Sequence, residues 1–283
     1  MRRVYGIIGH PVSHSLSPAM HNAAFRHLGI DAEYGIFDIA PERLGKFLSS
    51  LEENGISGLN VTIPHKIKAK EYIEAHGLLD KEAEKLGAVN TVTIENGRLK
   101  GYNTDGPGFY RSLLLDLRFE PEGKKIFVLG AGGAATAIVM YLGLGPKGIA
   151  VMDVDEAKAK DLEARYKKYF KDDRLRICRT RDLAKRVSES DLLINATPVG
   201  MKEADPLPVD VSLLHDGLYV YDLVYNRPMT SLVKEAHIRK LHTATGFGML
   251  LYQGAIAFEI WTGEKAPLEV MKRALIQGLQ ERG

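Results

Sequence analysis

Two residues of opposite charge, Lys66 and Asp105, stand in polar stretches of a chain that is otherwise rich in apolar runs. NVTIPHK (60–66) places Asn60, Thr62 and Lys66 behind a strand-like run, and Pro64 breaks that run just before Lys66. GYNTDG (101–106) holds Asn103, Thr104 and Asp105 in a glycine-flanked loop. A lysine and an aspartate that meet in a cleft form a proton-transfer pair. The carboxylate holds the charge and orientation of the ammonium, and such catalysis contributes about 10²–10⁴-fold. Taken singly, a lysine is ordinarily a solvated surface residue, and Asn-Thr-Asp is ordinary turn chemistry. Two further stretches carry polar groups. GHPVSHSLSPAMHN (9–22) puts Ser15 and Ser17 between a strand and a helix, where hydroxyls and free N–H groups either hold a carboxylate or cap the helix. LGAVNT (86–91) puts Asn90 at the start of a strand, as a ligand or as a turn residue.

A second kind of chemistry is backbone chemistry. KIFVLGAGGAATA (125–137) carries G-x-G-x-x-A directly after a strand and at the opening of a helix. Gly130 permits the tight turn, Gly132 lets the backbone approach a pyrophosphate, and Ala135 allows close helix–strand packing. The helix N-terminus adds N–H donors and a positive dipole, so the turn reads as a dinucleotide site. No Gly-Lys-Ser/Thr follows, which excludes a P-loop. AVMDVDEAK (150–158) ends the next strand in Asp153, 23 positions after Gly130. That is close to the offset of about 20 residues expected for the acid that binds an adenosine ribose.

These groups need elements to position them. Strand-like runs at 4–9, 32–39 and 59–63 alternate with a helix over 17–29, where Ser17 is a capping candidate, Pro18 suits the first turn and Gly29 stops the helix. After the Pro/Gly break at 119–124, strands at 125–130, 148–153, 191–196 and 218–225 alternate with helices at 134–144 and 155–170. This rhythm predicts an α/β fold whose second part is a doubly wound nucleotide domain. The final stretch, 267–282, has Leu268, Met271, Leu275 and Leu279 on one face of an amphipathic helix. Phe258 and Trp261 are expected in the core where that helix docks.

Composition excludes several classes. The 283 residues are 45% apolar with a net charge of +2, and the basic residues are scattered, so a nucleic-acid groove is not expected. Nothing approaches the roughly 18 apolar residues of a membrane span. The apolar run after Met1-Arg2-Arg3 stops at His10-Pro11, too short for a signal peptide. The single cysteine, Cys178, forms no internal disulfide and suits a reducing compartment, so a cytoplasmic protein is expected. Among His10, His14, His21 and His65, only the first two are four apart, and Pro11 lies between them. No metal site is expected.

Taken in order along nearly the whole chain, these stretches resemble the shikimate dehydrogenase family. The resemblance is carried by GHPVSHSLSPAMHN, NVTIPHK, LGAVNT, YNTDG and GAGGAA, then LLINATPVGM (192–201), VYDLVYNRPMT (220–230) and TGFGMLLYQGAIAFEIWTG (245–263). It implies two α/β domains. A substrate domain with a mainly parallel sheet would comprise 1–105 and 247–283, with the C-terminal helices packing back on it. A Rossmann-like domain would comprise 106–246. The implied reaction is the reversible NAD(P)H-dependent reduction of 3-dehydroshikimate to shikimate, on the route to chorismate and the aromatic amino acids. Lys66 and Asp105 would be the catalytic pair, Lys66 protonating the oxygen as hydride reaches the C3 carbonyl carbon. Ser15 and Ser17 would bind the substrate carboxylate. Thr62, Asn90, Asp105 and Gln253 would surround the ring hydroxyls, with Tyr225 close by and Asn60 a further substrate-binding residue. Gly130, Ala131, Gly132, Gly133 and Ala134 would hold the pyrophosphate, and Asn195, Thr197, Leu223 and Gly246 would border the nicotinamide. The family implies a monomer or homodimer and no metal.

One departure bears on the cofactor. NADP-dependent members usually read Asn-Arg-Thr where this chain reads Asp153-Val154-Asp155, with Lys158 at a later basic position. The arginine that would clamp a 2′-phosphate is missing, so NAD(H) is expected to be preferred or well used, against the family default of NADP(H). Ser17 resembles the shikimate-preferring pattern; members that accept quinate well tend to carry threonine there. The rival readings are an NAD-dependent quinate/shikimate dehydrogenase and a non-catalytic shikimate-binding sensor. Retention of both Lys66 and Asp105 weighs against the sensor. Folate-type two-domain dehydrogenases lack the Ser-x-Ser-Pro and YNTDG matches.

Overall fold

The computed structural model describes residues 2–227 and 229–281. Pro228 of the 220–230 stretch and Arg282 at the end of the expected C-terminal helix lie outside the described residues, as do Met1 and Gly283. The chain forms two compact units, Met1–Pro107 with Leu251–Gly283, and Gly108–Leu250.

The first unit contains β1 (Arg3–Gly9), α1 (Ser17–His27), β2 (Ala32–Asp38), α2 (Leu44–Ser49), β3 (Ile56–Val61), α3 (Lys66–His76), β4 (Leu78–Leu79), α4 (Lys81–Leu86), β5 (Thr91–Glu95) and β6 (Arg98–Tyr102). Its sheet runs β2-β1-β3-β5-β6-β4. Strand β1 pairs in parallel with β2 and β3, and β4 with β6, whereas β5 is antiparallel to both its neighbours. The antiparallel hairpin follows from two residues: Asn96 and Gly97 both have positive φ, as a two-residue primed turn requires. Ile8, Leu59 and Val92 are fully buried in the sheet. Each such side chain contributes about 2 kcal/mol of transfer free energy.

Helix α5 (Asp105–Leu115) carries the chain into the second unit. There follow β7 (Lys125–Leu129), α6 (Gly133–Leu142), β8 (Gly148–Met152), α7 (Glu156–Phe170), β9 (Leu175–Ile177), α8 (Leu183–Ser188), β10 (Leu192–Asn195), β11 (Tyr219–Asp222), α9 (Ser231–Ile238) and β12 (Thr243–Thr245). All six strands are parallel in the order β9-β8-β7-β10-β11-β12. This is the doubly wound order, with its switch point between β7 and β10. Helices on both faces bury both sides of the central strands, so β10 is buried at every position and β7 at all but Lys125. Each of the four strands expected in this unit is present but shorter at its carboxyl end, because those residues leave the ladder to build the turns described below. Helix α6 ends at Leu142 rather than 144, where Gly143 turns the chain at φ +55°.

Helices α10 (Gly246–Thr262) and α11 (Leu268–Gln280) complete the chain. Phe258 and Trp261 lie on α10, whereas α11 packs on α1. Trp261 stacks on Tyr5 at 5.1 Å, and its indole N–H donates to the Val92 carbonyl at 3.0 Å. No helix among the described residues is long and apolar enough to cross a membrane.

Candidate active site

Within the first unit, two residues distant in sequence meet at the ends of strands. Lys66 opens α3 after the Pro64 break, and Asp105 opens α5 after β6. The Lys66 Nζ lies 2.5 Å from Asp105 Oδ2, and the carboxylate is the more buried partner, with 10% of its side chain exposed against 28% for the lysine. The backbone fixes the approach: Val89 N–H donates to the Lys66 carbonyl at 3.0 Å, tying the start of α3 to the segment before β5.

Asp105 is held on every side. Its Oδ1 accepts from Asn90 Nδ2 at 2.9 Å, and its own backbone N–H donates to Asn103 Oδ1 at 3.0 Å. Asn90 is in turn oriented by the Thr104 N–H, which donates to Asn90 Oδ1 at 2.8 Å. A backbone donor cannot reverse, so the amide nitrogen of Asn90 must face Asp105. Asn60 on β3 donates to Thr91 Oγ1 at 3.1 Å and to the Asn90 carbonyl at 3.3 Å, and accepts from the Tyr34 hydroxyl at 2.7 Å. Lys66, Asp105, Asn90 and Asn60 thus form one connected cluster.

The remaining candidates of this unit lie at the start of α1, just after β3 and on α10. Thr62 is half-buried just beyond β3, and its N–H donates to the Ile8 carbonyl at 2.9 Å. Gln253 is half-buried on α10 beside Gly254, where a side chain would run into Met20. Ser17 corrects the capping expectation. Leu16 is the N-cap of α1 and no side chain caps the helix. The Ser17 N–H is instead taken by Ser15 Oγ at 3.2 Å, which leaves the Ser17 hydroxyl on the buried first turn.

Beneath the cluster, His21 is fully buried and stacks on the Tyr34 ring at 4.4 Å. Burial pushes its imidazole down to about 3, so it is neutral; Asn60 opposes this weakly, although neither ring nitrogen has a hydrogen-bond partner of good geometry. Burial also raises Tyr34 well above the usual phenol range, against a smaller effect of hydrogen bonding to Ser17.

The second unit gathers its candidates at the carboxyl ends of its strands. Gly130 has φ +99°, and a Cβ there would lie 2.8 Å from the Ala196 carbonyl oxygen and 3.3 Å from Thr197. Only glycine fits that turn. At Gly132 and Gly133 a Cβ would meet nothing within 4 Å. Gly132 is the N-cap of α6 and offers no side-chain cap, so the first-turn amides have no acceptor within the helix. An open, uncapped helix start with glycine beside it fits a pyrophosphate. Asn195 Oδ1 accepts from the Thr197 hydroxyl at 2.7 Å, and the Leu223 N–H donates to the Asn195 carbonyl at 2.9 Å. Gly246 abuts the Leu223 carbonyl so closely that no side chain would fit. Gly130, Asn195, Thr197, Leu223 and Gly246 are therefore neighbours along this edge. Tyr225 lies just beyond β11 and is 40% exposed.

Asp153 follows β8 and faces the glycine turn. Its Oδ2 accepts from the Ala131 N–H at 2.6 Å and its Oδ1 from the Asp155 N–H at 2.8 Å. Asp155 caps α7 by accepting from the amides of Ala157 and Lys158, and these bonds, Lys158 first, hold its carboxyl below the usual range. Lys158 Nζ is 3.3 Å from Asp155 Oδ2. The one later base is thus already matched by an acid.

Sequence reasoning passed over Asp222, at the end of β11. It is fully buried and accepts from Asn195 Nδ2 at 2.9 Å, Thr230 Oγ1 at 2.7 Å and the Val224 N–H at 3.1 Å. Burial raises its carboxyl and the three donors oppose that. The available signal was a single acid closing the apolar run LYVYD. Tyr34 and Thr91 gave no signal, because both sit in strands as β-favouring residues.

A side-chain cluster on one sheet and a glycine turn at the switch point of another define a two-domain α/β oxidoreductase. The model of the shikimate dehydrogenase substrate binding domain matches residues 7–92, and that of the shikimate 5′-dehydrogenase C-terminal domain matches residues 246–276. The chain belongs to the shikimate dehydrogenase family. It is 46% identical to the shikimate dehydrogenase (NADP(+)) of Methanopyrus kandleri, over 98% of this chain and 96% of that one. Among solved structures, a shikimate dehydrogenase in complex with NADP+ superposes with a TM-score of 0.91 at 40% identity, covering 98% of this chain and 96% of the other. The Listeria monocytogenes shikimate 5-dehydrogenase, in complex with shikimate and NAD, gives 0.89 at 36% identity and covers 96% of both chains.

Proposed function

We propose that this chain reversibly reduces 3-dehydroshikimate to shikimate with a nicotinamide cofactor, Lys66 and Asp105 being the reacting pair. The observation that carries this reading is the 2.5 Å contact between Lys66 Nζ and Asp105, in a chain 46% and 42% identical to two proteins described as shikimate dehydrogenases. The bound nicotinamide supplies the hydride. The Lys66 ammonium gives its proton to the carbonyl oxygen, and Asp105 keeps that ammonium charged and aimed. Ser15 and Ser17 bind the substrate carboxylate, and Thr62, Asn90, Asp105 and Gln253 bind the ring hydroxyls, with Asn60 in the same cluster. Residues 1–105 and 247–283 serve as the substrate domain and 106–246 as the cofactor domain. In the latter, the amides from Gly130 to Ala134 hold the pyrophosphate, and Asn195, Thr197, Leu223 and Gly246 line the nicotinamide side.

NAD(H) is the preferred cofactor in this reading. Each Asp153 oxygen holds one amide and keeps a lone pair free to accept from a ribose hydroxyl. A 2′-phosphate would meet the Asp153 charge, while Lys158 is already paired with Asp155. The relatives described as NADP(+) enzymes make this the point to test. The experiment is kcat/KM for NAD+ and NADP+ with shikimate, and then with quinate. NAD+ is expected to win, with shikimate far above quinate. A tenfold preference for NADP+ overturns the cofactor part. No shikimate turnover with either cofactor overturns the whole.

A further inference from the structure

The polar chain behind Asp105 has more members than a substrate site needs. Thr91 Oγ1 donates to Asn90 Oδ1 at 3.1 Å and accepts from Asn60 Nδ2 at 3.1 Å. Asn60 Oδ1 accepts from the Tyr34 hydroxyl at 2.7 Å. Thr91 is fully buried and Tyr34 is 4% exposed, so neither hydroxyl has water as an alternative partner. The chain is directional from end to end. The Tyr34 phenol, kept protonated by burial, is a fixed donor. It sets the oxygen of Asn60 toward itself and the nitrogen toward Thr91. Thr91 then gives its proton to Asn90 Oδ1, adding to the Thr104 N–H that turns the Asn90 nitrogen toward Asp105 Oδ1.

We propose that Tyr34 and Thr91 are positioning residues for proton transfer: through the amides of Asn60 and Asn90 they hold the Asp105 carboxylate in the orientation that meets Lys66. This rests on Lys66 and Asp105 being the reacting pair. Among the described residues, Lys66 is the charged group in contact with Asp105. The amide of Asn90 holds the other carboxylate oxygen, Oδ1, at 2.9 Å. Loss of the Thr91 hydroxyl leaves the Asn60 donor without its partner and Asn90 with one donor fewer to its oxygen. That loosens the Asn90–Asp105 bond and frees the carboxylate to turn away from Lys66.

The test uses the full-length chain with Thr91→Val, Thr91→Ser and Tyr34→Phe, assayed for shikimate oxidation across pH. Thr91→Val is expected to lower kcat about tenfold with little change in the KM for shikimate. The acid limb of its kcat profile should be displaced, because the Lys66–Asp105 contact is no longer held in one geometry. Thr91→Ser keeps the hydroxyl and should restore both. Tyr34→Phe keeps the ring stacked on His21 and should show the same pH displacement at a smaller kcat loss. The double variant Tyr34→Phe/Thr91→Val should lose less than the product of the two single losses, since both act through one chain. A purely packing role lowers thermal stability but leaves the pH limb in place. If Thr91→Val does not fold, Tyr34→Phe with its pH profile decides. Unmoved pH limbs in the folded variants, with Lys66→Ala inactive, overturn the proposal. Near-normal turnover in Lys66→Ala overturns instead the assignment beneath it.

Discussion

The two candidate sites are built from different materials. In the first unit, every group that bears on Asp105 is a side chain or a backbone amide already engaged: Lys66, Asn90, Thr104 and Asn60 hold one another before any substrate arrives. In the second unit, the glycine turn offers backbone, and the Asp153 side chain ties it down. A preorganised polar cluster concentrates function in residue identity. A backbone cradle depends on conformation, and many side chains nearby are free to vary. Substitutions in the two regions should therefore fail differently: through kcat in the first and through cofactor affinity in the second.

The largest effect belongs to the first region. Lys66→Ala removes the proposed proton donor and should lower kcat by about 10²–10⁴-fold, with a modest change in the KM for shikimate. Steady-state kinetics at saturating cofactor decide it, and a variant with near-normal kcat would remove Lys66 from the chemistry.

The same region carries an acid weakness. His21 is held neutral down to about 3, whereas an unfolded imidazole protonates near 6.5. Between those values the unfolded state binds the extra proton, so the folded state is at no disadvantage above pH 6.5 and loses stability as pH falls toward 3. At about 1.4 kcal/mol per unit, the loss at pH 5 is about 2 kcal/mol. His21→Phe keeps an aromatic ring against Tyr34 and removes the titration. Denaturant unfolding at pH 7 and pH 5 should show a smaller difference between the two pH values in the variant than in the parent. An equal difference in both would rule out His21 as the source.

In the second region, Gly130→Ala must adopt φ +99° and place a methyl 2.8 Å from the Ala196 oxygen. Calorimetric titration should show cofactor affinity weakened about tenfold or more, with shikimate affinity unchanged. Equal weakening of both would mean that the change spreads beyond the turn.

The same contrast governs what could be read from the sequence. The glycine turn was legible because backbone conformation leaves its mark in residue type: a positive φ asks for glycine, and an open helix start shows as a missing cap. The alternation of apolar runs likewise gave four of the six parallel strands of the second unit; β9 and β12, three residues each, are too short to leave a run. The meeting of Lys66 with Asp105 was not legible from spacing, since 39 residues separate them and only the fold brings α3 and α5 together. Family resemblance supplied what physics could not. Tyr34 and Thr91 were hidden because a tyrosine or threonine in a strand is what packing alone would choose. Helix α10 was missed because its residues are apolar nearly all round, leaving no polar face to mark a period. Ser17 was misread because a serine before Pro resembles a cap until the preceding Ser15 is seen to take the amide.

The smallest expected effect is the one that separates two roles of a single residue. Asp153 holds the Ala131 amide of the glycine turn, and its charge faces the position of the adenosine ribose in the proposed complex. Asp153→Asn keeps the shape and one accepting oxygen but removes the charge. If repulsion of a 2′-phosphate sets cofactor choice, the ratio of kcat/KM for NAD+ over NADP+ should fall several-fold toward unity, by gain with NADP+. Exposure and salt keep the effect modest, so it should shrink further as ionic strength rises. If Asp153 serves only to staple the turn, the ratio should stay put while both cofactors weaken together, because the amide nitrogen of asparagine cannot accept the second backbone N–H. Paired measurements at low and high salt separate the outcomes. A ratio unmoved at either salt concentration would leave Asp153 a part of the backbone cradle and place cofactor choice elsewhere on the second unit.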